Sequence, residues 1–346
     1  MSNDVFFLGA GFSKSIINDY PDLKGLSEEI SEKFQFEKES VGMHFRNEVP
    51  EIYHKNIETL LTYLSTNLPY KTDVQMSTDG ALYKDIINKI ADYFIDKTKQ
   101  ENLRNAKGDV RVWNLMNFIV KKKATCITLN YDLLLEELLI GGVSEKYQDA
   151  RPAPVINDFY KCPIIPLASR TGERGKWGGT RGGYHPLSAP LIIKLHGSIN
   201  WMYAGITPTD PIYLRDISYP LPEYEYLSAD LKTLIVPPVL DKNSQYFHTI
   251  LKTLWKNAFK AIENAKNIYI YGFSFPQTDL AVSFLFQSAL RSNPHDYKIY
   301  VINTANASGI KKRYDSIFGK GRCDYSFCCN NQLERFSEYL KTRSQY

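Results

Sequence analysis

At 346 residues, with 43% apolar and 23% charged side chains, the chain has the composition of a folded protein of one large or two smaller domains, and wholesale disorder is excluded. Forty-two Lys and Arg against 38 Asp and Glu leave a formal charge of +4, too small over this length for a surface that coats nucleic acid. The five cysteines, Cys126, Cys162, Cys323, Cys328 and Cys329, are odd in number and lack CxxC spacing, which argues against a disulfide framework and a four-cysteine zinc site and fits reduced thiols in a cytosol.

In chain order, residues 1–4 lead into the apolar VFFLGAGF without a basic segment, and that run is too short for a signal peptide. No apolar run approaches the ~20 residues that cross a bilayer, so a cytoplasmic protein is expected. Residues 4–8 predict a buried strand, Gly9 a tight turn, and a helix is expected from about Ser13. From 26 to 102 the pattern turns helical: Leu82, Ile86, Ile90 and Phe94 share one face of a long helix, and a shorter helix covers 57–64. This stretch predicts a helical subdomain inserted after the first strand and helix.

The run ATCITL at 124–129 predicts the next strand, followed by a Leu-rich helix at 133–140. Residues 171–186 are rich in glycine and basic residues and read as a long mobile loop. Arg170, Arg174, Lys176 and Arg181 with Trp177 and Tyr184 either stay solvated or grip a phosphate, a nucleic acid or a partner. The aromatic stretch 213–226 fits internal packing, an oligomer contact or a substrate wall equally. Apolar runs at 191–197, 233–238, 267–275 and 297–303 predict buried strands, with helices at 247–264 and 278–291 between the later ones. Alternation of this kind predicts an α/β fold: a mainly parallel sheet with helices on both faces.

In an open parallel sheet ligands bind beyond the carboxyl ends of the strands. Four post-strand loops carry unusual residues. Gly9-Ala10-Gly11-Phe12-Ser13 offers glycines that admit a pyrophosphate to the backbone, although Lys14 stands where the dinucleotide fingerprint has its third glycine. Asn130 and Asp132 in TLNYD either cap the following helix or serve catalysis. His196 in KLHGS is either a buried hydrogen-bonding group or an acid–base, with an ordinary pKa near ~6.5. Gly272 and Ser274 in YGFSFP again suit the approach of a phosphate or ribose.

Together GAGFS at 9–13, TLNYD at 128–132, KLHGSINW at 194–201, VPP at 236–238, GFSFPQTD at 272–279 and INT at 302–304 resemble the sirtuin superfamily. NIETLL at 56–61 adds likeness to its bacterial SIR2-like branch in anti-phage defence. The resemblance implies a Rossmann-like core of residues 1–25 and 105–346 with a helical insert at 26–104. It implies NAD phosphates on Gly9, Ala10, Gly11, Phe12 and Ser13, with Gly272 and Ser274 on the phosphate and ribose side and Asn303 nearest the adenosine ribose. Asn130 and Asp132 match the family's residues beside the nicotinamide ribose, and His196 its catalytic histidine.

The family's zinc ribbon has no counterpart in this cysteine pattern, so no zinc is expected and protein deacylation is disfavoured. The resemblance therefore implies hydrolysis of NAD to nicotinamide and ADP-ribose as an NAD-depleting antiviral effector. It also implies a homo-oligomer with a separate partner, such as a HerA-like ATPase or an Argonaute-like protein, and neither a membrane nor direct contact with nucleic acid. A non-catalytic NAD or ADP-ribose sensor is the rival reading.

Overall fold

The computed structural model of the chain describes residues 2–20, 23–36, 40–98, 100–146, 159–160, 162–166, 190–215, 231–240, 246–276, 279–304 and 307–344. The basic loop expected at 171–186 and most of the aromatic stretch at 213–226 lie outside them.

Strand β1, Asp4–Leu8, is buried at every residue, which suits an unbroken apolar run flanked by strands on both edges. It pairs in parallel with β2, Thr125–Thr128, and with β8, Asn267–Tyr271. Beyond β2 lies β4, Leu191–Lys194; beyond β8 come β9, Lys298–Asn303, and β10, Cys323–Cys328. All pairings in this six-stranded sheet, ordered β10-β9-β8-β1-β2-β4, are parallel. The α/β architecture read from the alternating pattern is therefore the one observed.

Alternate side chains of β1 show what covers the two faces. Phe6 meets Phe118 of α8, Val110–Lys122, and Phe336 of α13, Gln332–Arg343. Its neighbour Phe7 meets Phe286 of α11, Leu280–Arg291, on the opposite face. Helix α10, Thr249–Glu263, precedes β8, and α12, Ala307–Phe318, precedes β10. Helix α9, Leu134–Lys146, follows β2.

The first helix, α1, runs from Ala10 to Ile16 with Gly9 as its N-cap. It starts three residues before the expected Ser13, because the glycine turn itself is helical. Among the described residues, six helices come between α1 and α8: α2, Leu23–Phe36; α3, Ser40–Asn47; α4, Glu51–His54; α5, Ile57–Ser65; α6, Asp73–Lys97; and α7, Gln100–Gly108. Helix α5 starts where Asn56 Oδ1 accepts from the N–H groups of Glu58 and Thr59, at 2.9 and 3.1 Å. The N–H of Ile57 donates to Ser27 Oγ of α2 at 3.1 Å, so two helices hold the same terminus.

A second sheet of four strands has the order β3-β6-β5-β7. Its strands are β3, Ile164–Pro166; β5, Gly197–Tyr203; β6, Ile212–Leu214; and β7, Lys232–Ile235. The apolar run at 233–238 thus joins β5 in antiparallel pairing and stands apart from the main sheet. Among the described residues no helix is long and apolar enough to cross a membrane.

In the main sheet, Lys194, Thr128, Leu8 and Tyr271 fall in one row across β4, β2, β1 and β8. Four loops therefore leave the sheet side by side. The row straddles the β1/β8 boundary, where successive connections run to opposite sides of the sheet, the place where α/β folds bind ligands. Phe6 is fully buried and stacks on Tyr269 at 4.6 Å. Its replacement by Ala should cost about 3–5 kcal/mol in urea unfolding; a cost under ~1 kcal/mol would show that the sheet centre is not close-packed.

Candidate functional site

Thr128, at the end of β2, turns the chain toward β1. Its hydroxyl donates to Leu8 O at 3.0 Å and accepts from the N–H of Asn130 at 3.0 Å. Asn130 is thereby presented to the glycine turn, where its Nδ2 donates to Gly9 O and to Ser13 Oγ, both at 3.1 Å. A carbonyl can only accept, so the contact with Gly9 fixes the orientation of the amide. Its Oδ1 is left without a hydrogen bond among the described residues.

Ser13 passes the chain of bonds on, its hydroxyl donating to Asp132 Oδ2 at 3.1 Å. The N–H of Leu134 donates to Asp132 Oδ1 at 3.0 Å, so Asp132 also caps α9, one of the two roles open from the sequence. Beneath the loop lies a buried ion pair, Lys194 Nζ to Glu136 Oε1 at 3.0 Å, with Lys194 also donating to Asp132 O. The hydroxyl of Tyr160 donates to the same Glu136 oxygen at 2.6 Å. Burial drives the Asp132 carboxyl above its ordinary pKa, an effect the Lys194 charge and the Leu134 N–H only partly oppose.

His196 follows β4. The N–H of Val236 donates to its carbonyl at 2.8 Å, and the ring lies near parallel to Tyr131 with centroids 6.4 Å apart. Its Nε2 is 3.1 Å from the hydroxyl of Tyr246.

Glycine answers a different need from the one expected. The N–H groups of Gly9 and Gly11 donate to Tyr271 O and Gly272 O, at 2.9 and 3.0 Å. A Cβ on Gly9 would lie 2.6 Å from Gly272 O, and one on Gly272, whose φ is +65°, 2.2 Å from Phe12 N. The glycines let the loops after β1 and β8 press backbone on backbone, so neither Gly9 nor Gly11 has an N–H left for a phosphate. Phe12 packs edge-on to Tyr271 at 5.5 Å.

The four loops enclose a cavity of about 210 Å³. Of the residues singled out from sequence, Gly9, Ala10, Ser13, Asn130, Asp132, His196, Gly272 and Ser274 line it. Gly11, Phe12 and Asn303 do not. Asn303 stands at the end of β9, its Nδ2 donating to Phe273 O at 3.4 Å and its Oδ1 accepting from the N–H of Thr304 at 2.9 Å. The inserted helices supply another wall through Leu26 of α2, Glu58 of α5 and Phe94 of α6. Thr62, one turn along α5 from Glu58, accepts from the N–H of Leu240 at 2.9 Å, tying the insert to the loop after β7.

Sequence reasoning missed Tyr20, Glu58, Tyr131 and Asp279 in the lining. Tyr131, Glu58 and Asp279 sat inside the motifs TLNYD, NIETLL and GFSFPQTD without being singled out, and Tyr20 carries no local signal. Three carboxylates, Glu58, Asp132 and Asp279, line the cavity, and no lysine or arginine is among its described lining residues. Such a site favours a group that is, or becomes, positively charged. Among the described residues no three His, Cys, Asp or Glu side chains gather as a metal site.

No family model and no curated protein matches the chain. Solved structures do show similarity along nearly its whole length. One, described as the structural basis for the mechanism and regulation of Sir2 enzymes, is 12% identical with a TM-score of 0.43, covering 100% of this chain and 95% of that one. A Sir2 homologue in complex with NAD is 14% identical at 0.43, covering 99% and 89%. A structure addressing sirtuin substrate affinity is 13% identical at 0.44, covering 98% and 93%.

Two substitutions test the site's construction. An acid whose folded pKa is raised stabilises the fold below its unfolded value of ~3.9, and that contribution is lost as pH rises through the folded value. Asp132→Asn should therefore gain unfolding free energy relative to the native chain as urea titrations move from pH 4 to pH 7; a constant difference would contradict the burial of a strained carboxyl. Gly272→Ala, forced to positive φ and into Phe12, should cost at least about 1–3 kcal/mol on the same assay.

Proposed function

We propose that the chain hydrolyses the bond between nicotinamide and ribose in NAD, releasing nicotinamide and ADP-ribose. The observation that carries this reading is the meeting of Asn130 and His196, distant in sequence, on one acid-lined cavity beyond the carboxyl ends of β1, β2, β4 and β8.

In the reaction the C1′–N bond breaks and its electron pair stays with the ring nitrogen, so the pyridinium leaves as neutral nicotinamide. Positive charge builds on the ribose, and the carboxylates of Glu58, Asp132 and Asp279 favour that charge over the neutral ground state of the sugar. Water attacks C1′. Asn130 Oδ1 accepts a hydrogen bond from that water or a ribose hydroxyl, since its Nδ2 is committed to Gly9 and Ser13. His196 takes the proton released.

Asp132 acts chiefly by holding Ser13, which in turn holds Asn130. At about 210 Å³ the cavity is smaller than the roughly 300–1,000 Å³ of whole small-molecule sites, so it houses the nicotinamide-ribose end. The phosphates meet the turn at Ala10, since the N–H of Gly9 and the hydroxyl of Ser13 are already given to Tyr271 O and Asp132, and Gly272 and Ser274 lie on the ribose and phosphate side.

In this reading the core spans 1–25 and 105–346 and the insert 26–104. The protein is a homo-oligomeric, NAD-depleting effector of anti-phage defence, working beside a HerA-like ATPase or an Argonaute-like partner. Asn130→Ala and His196→Ala, each folded by circular dichroism, should lose at least about 10²-fold in nicotinamide release, the scale of a lost acid–base group. The assay is run with and without the protein of the neighbouring gene. Wild-type rates in both variants would sink the assignment, and NAD binding without turnover in the native protein would make the chain a sensor.

A further inference from the structure

We propose that Tyr246 is the positioning residue of His196: its hydroxyl accepts from Nε2–H, fixing the tautomer in which Nδ1 is the nitrogen that takes up the proton. The inference rests on the reading of His196 as the base, yet its own evidence is geometric.

The Tyr246 hydroxyl lies 3.1 Å from His196 Nε2. The two residues are anchored as a unit. Trp255 of α10 packs edge-on to the Tyr246 ring at 5.1 Å, and its Nε1 donates to Leu195 O at 3.2 Å, the carbonyl just before His196. On its other side the imidazole faces Tyr131, whose hydroxyl donates to Val236 O at 2.7 Å, while the N–H of Val236 donates to His196 O. Rotation of the ring would break this arrangement, so Tyr246 and Tyr131 together fix the direction in which His196 presents itself.

Tyr246 stays a neutral phenol across the working range, because burial and then the charge of Asp279 push its ionisation upward. When His196 takes up a proton at Nδ1, both ring nitrogens carry hydrogen, and the bond from Nε2–H to the phenol oxygen strengthens. His196 is only 3% exposed, so removing that oxygen takes a buried acceptor from Nε2–H, at greater cost to the charged ring than to the neutral one. Among the described residues, the titratable groups that share the cavity lining with His196 are Tyr20, Tyr131, Glu58 from α5, Asp132 after β2 and Asp279 at the start of α11. They remain in place when Tyr246 is changed. Removing the phenol oxygen therefore lowers the pKa of His196, since it weakens the charged form.

Tyr246→Phe keeps the ring that packs on Trp255 and removes only the oxygen. The full-length protein is labelled with ¹⁵N-histidine, and the His196 ring signals are assigned by their absence in His196→Gln. The variant should show a lower titration midpoint for His196, and nicotinamide release from NAD should fall about tenfold near pH 7 with KM unchanged, the size of one lost interaction in the transition state. Its alkaline-active limb should extend to lower pH. An unchanged midpoint and an unchanged pH profile would overturn the role of Tyr246. Should the native protein release no nicotinamide, the functional reading fails, and the titration midpoint alone still decides whether Tyr246 holds His196.

Discussion

The amide of Asn130, bound at once to the carbonyl of Gly9 and the hydroxyl of Ser13, is the interaction on which the site depends. It joins the loops after two neighbouring strands. It also leaves one defined acceptor toward the cavity. Its partner Ser13 is in turn held by Asp132, whose carboxyl is costly to bury. Lys194 under this loop offsets part of that cost while its partner Glu136 adds to it, and removal of either member of the pair alone would leave a charge stranded in the interior. Stability and chemistry therefore compete at Asp132, as they commonly do where polar groups are preorganised for a reaction.

A second constraint comes from the other side of β1. The turns at Gly9 to Gly11 and at Gly272 approach too closely for any Cβ. Glycine there serves the joint between two loops, and only secondarily the approach of a ligand. The cavity floor is consequently a rigid seam of backbone, while its upper wall comes from the helices inserted between β1 and β2. These two halves meet across a ring of carboxylates and one histidine.

Much of this was legible in the residues. Strands β1, β2, β8 and β9 read as apolar runs because each is buried on both faces. Strand β10 escaped notice because it lies at the sheet edge and alternates Asp324 and Ser326 with its inward residues. Strand β5 hid behind Ser198 and Asn200, polar residues that are nonetheless fully buried. The early start of α1 could not be read from Gly-Ala-Gly, which is poor in helix propensity; bonds from its N–H groups to the β8 loop compensate. The loop residues Asn130, Asp132 and His196 stood out because polar side chains directly after apolar strands have few structural reasons to be there. Glu58 was one residue of the NIETLL motif and Tyr246 belongs to a loop of ordinary appearance; only tertiary packing brings the first to the cavity and the second to His196.

The walls of the cavity are drawn from nearly the whole length of the polypeptide, beginning with Gly9 and ending with Asp279. During synthesis, then, a chain that has emerged just past His196 holds it and Asn130 but lacks the β8 turn against which Gly9 and Gly11 close. The pocket comes into being only when that turn has left the ribosome and docked. A nascent or truncated fragment that ends before β8 therefore has residues of the site without the site itself, by virtue of the order in which its sheet is assembled.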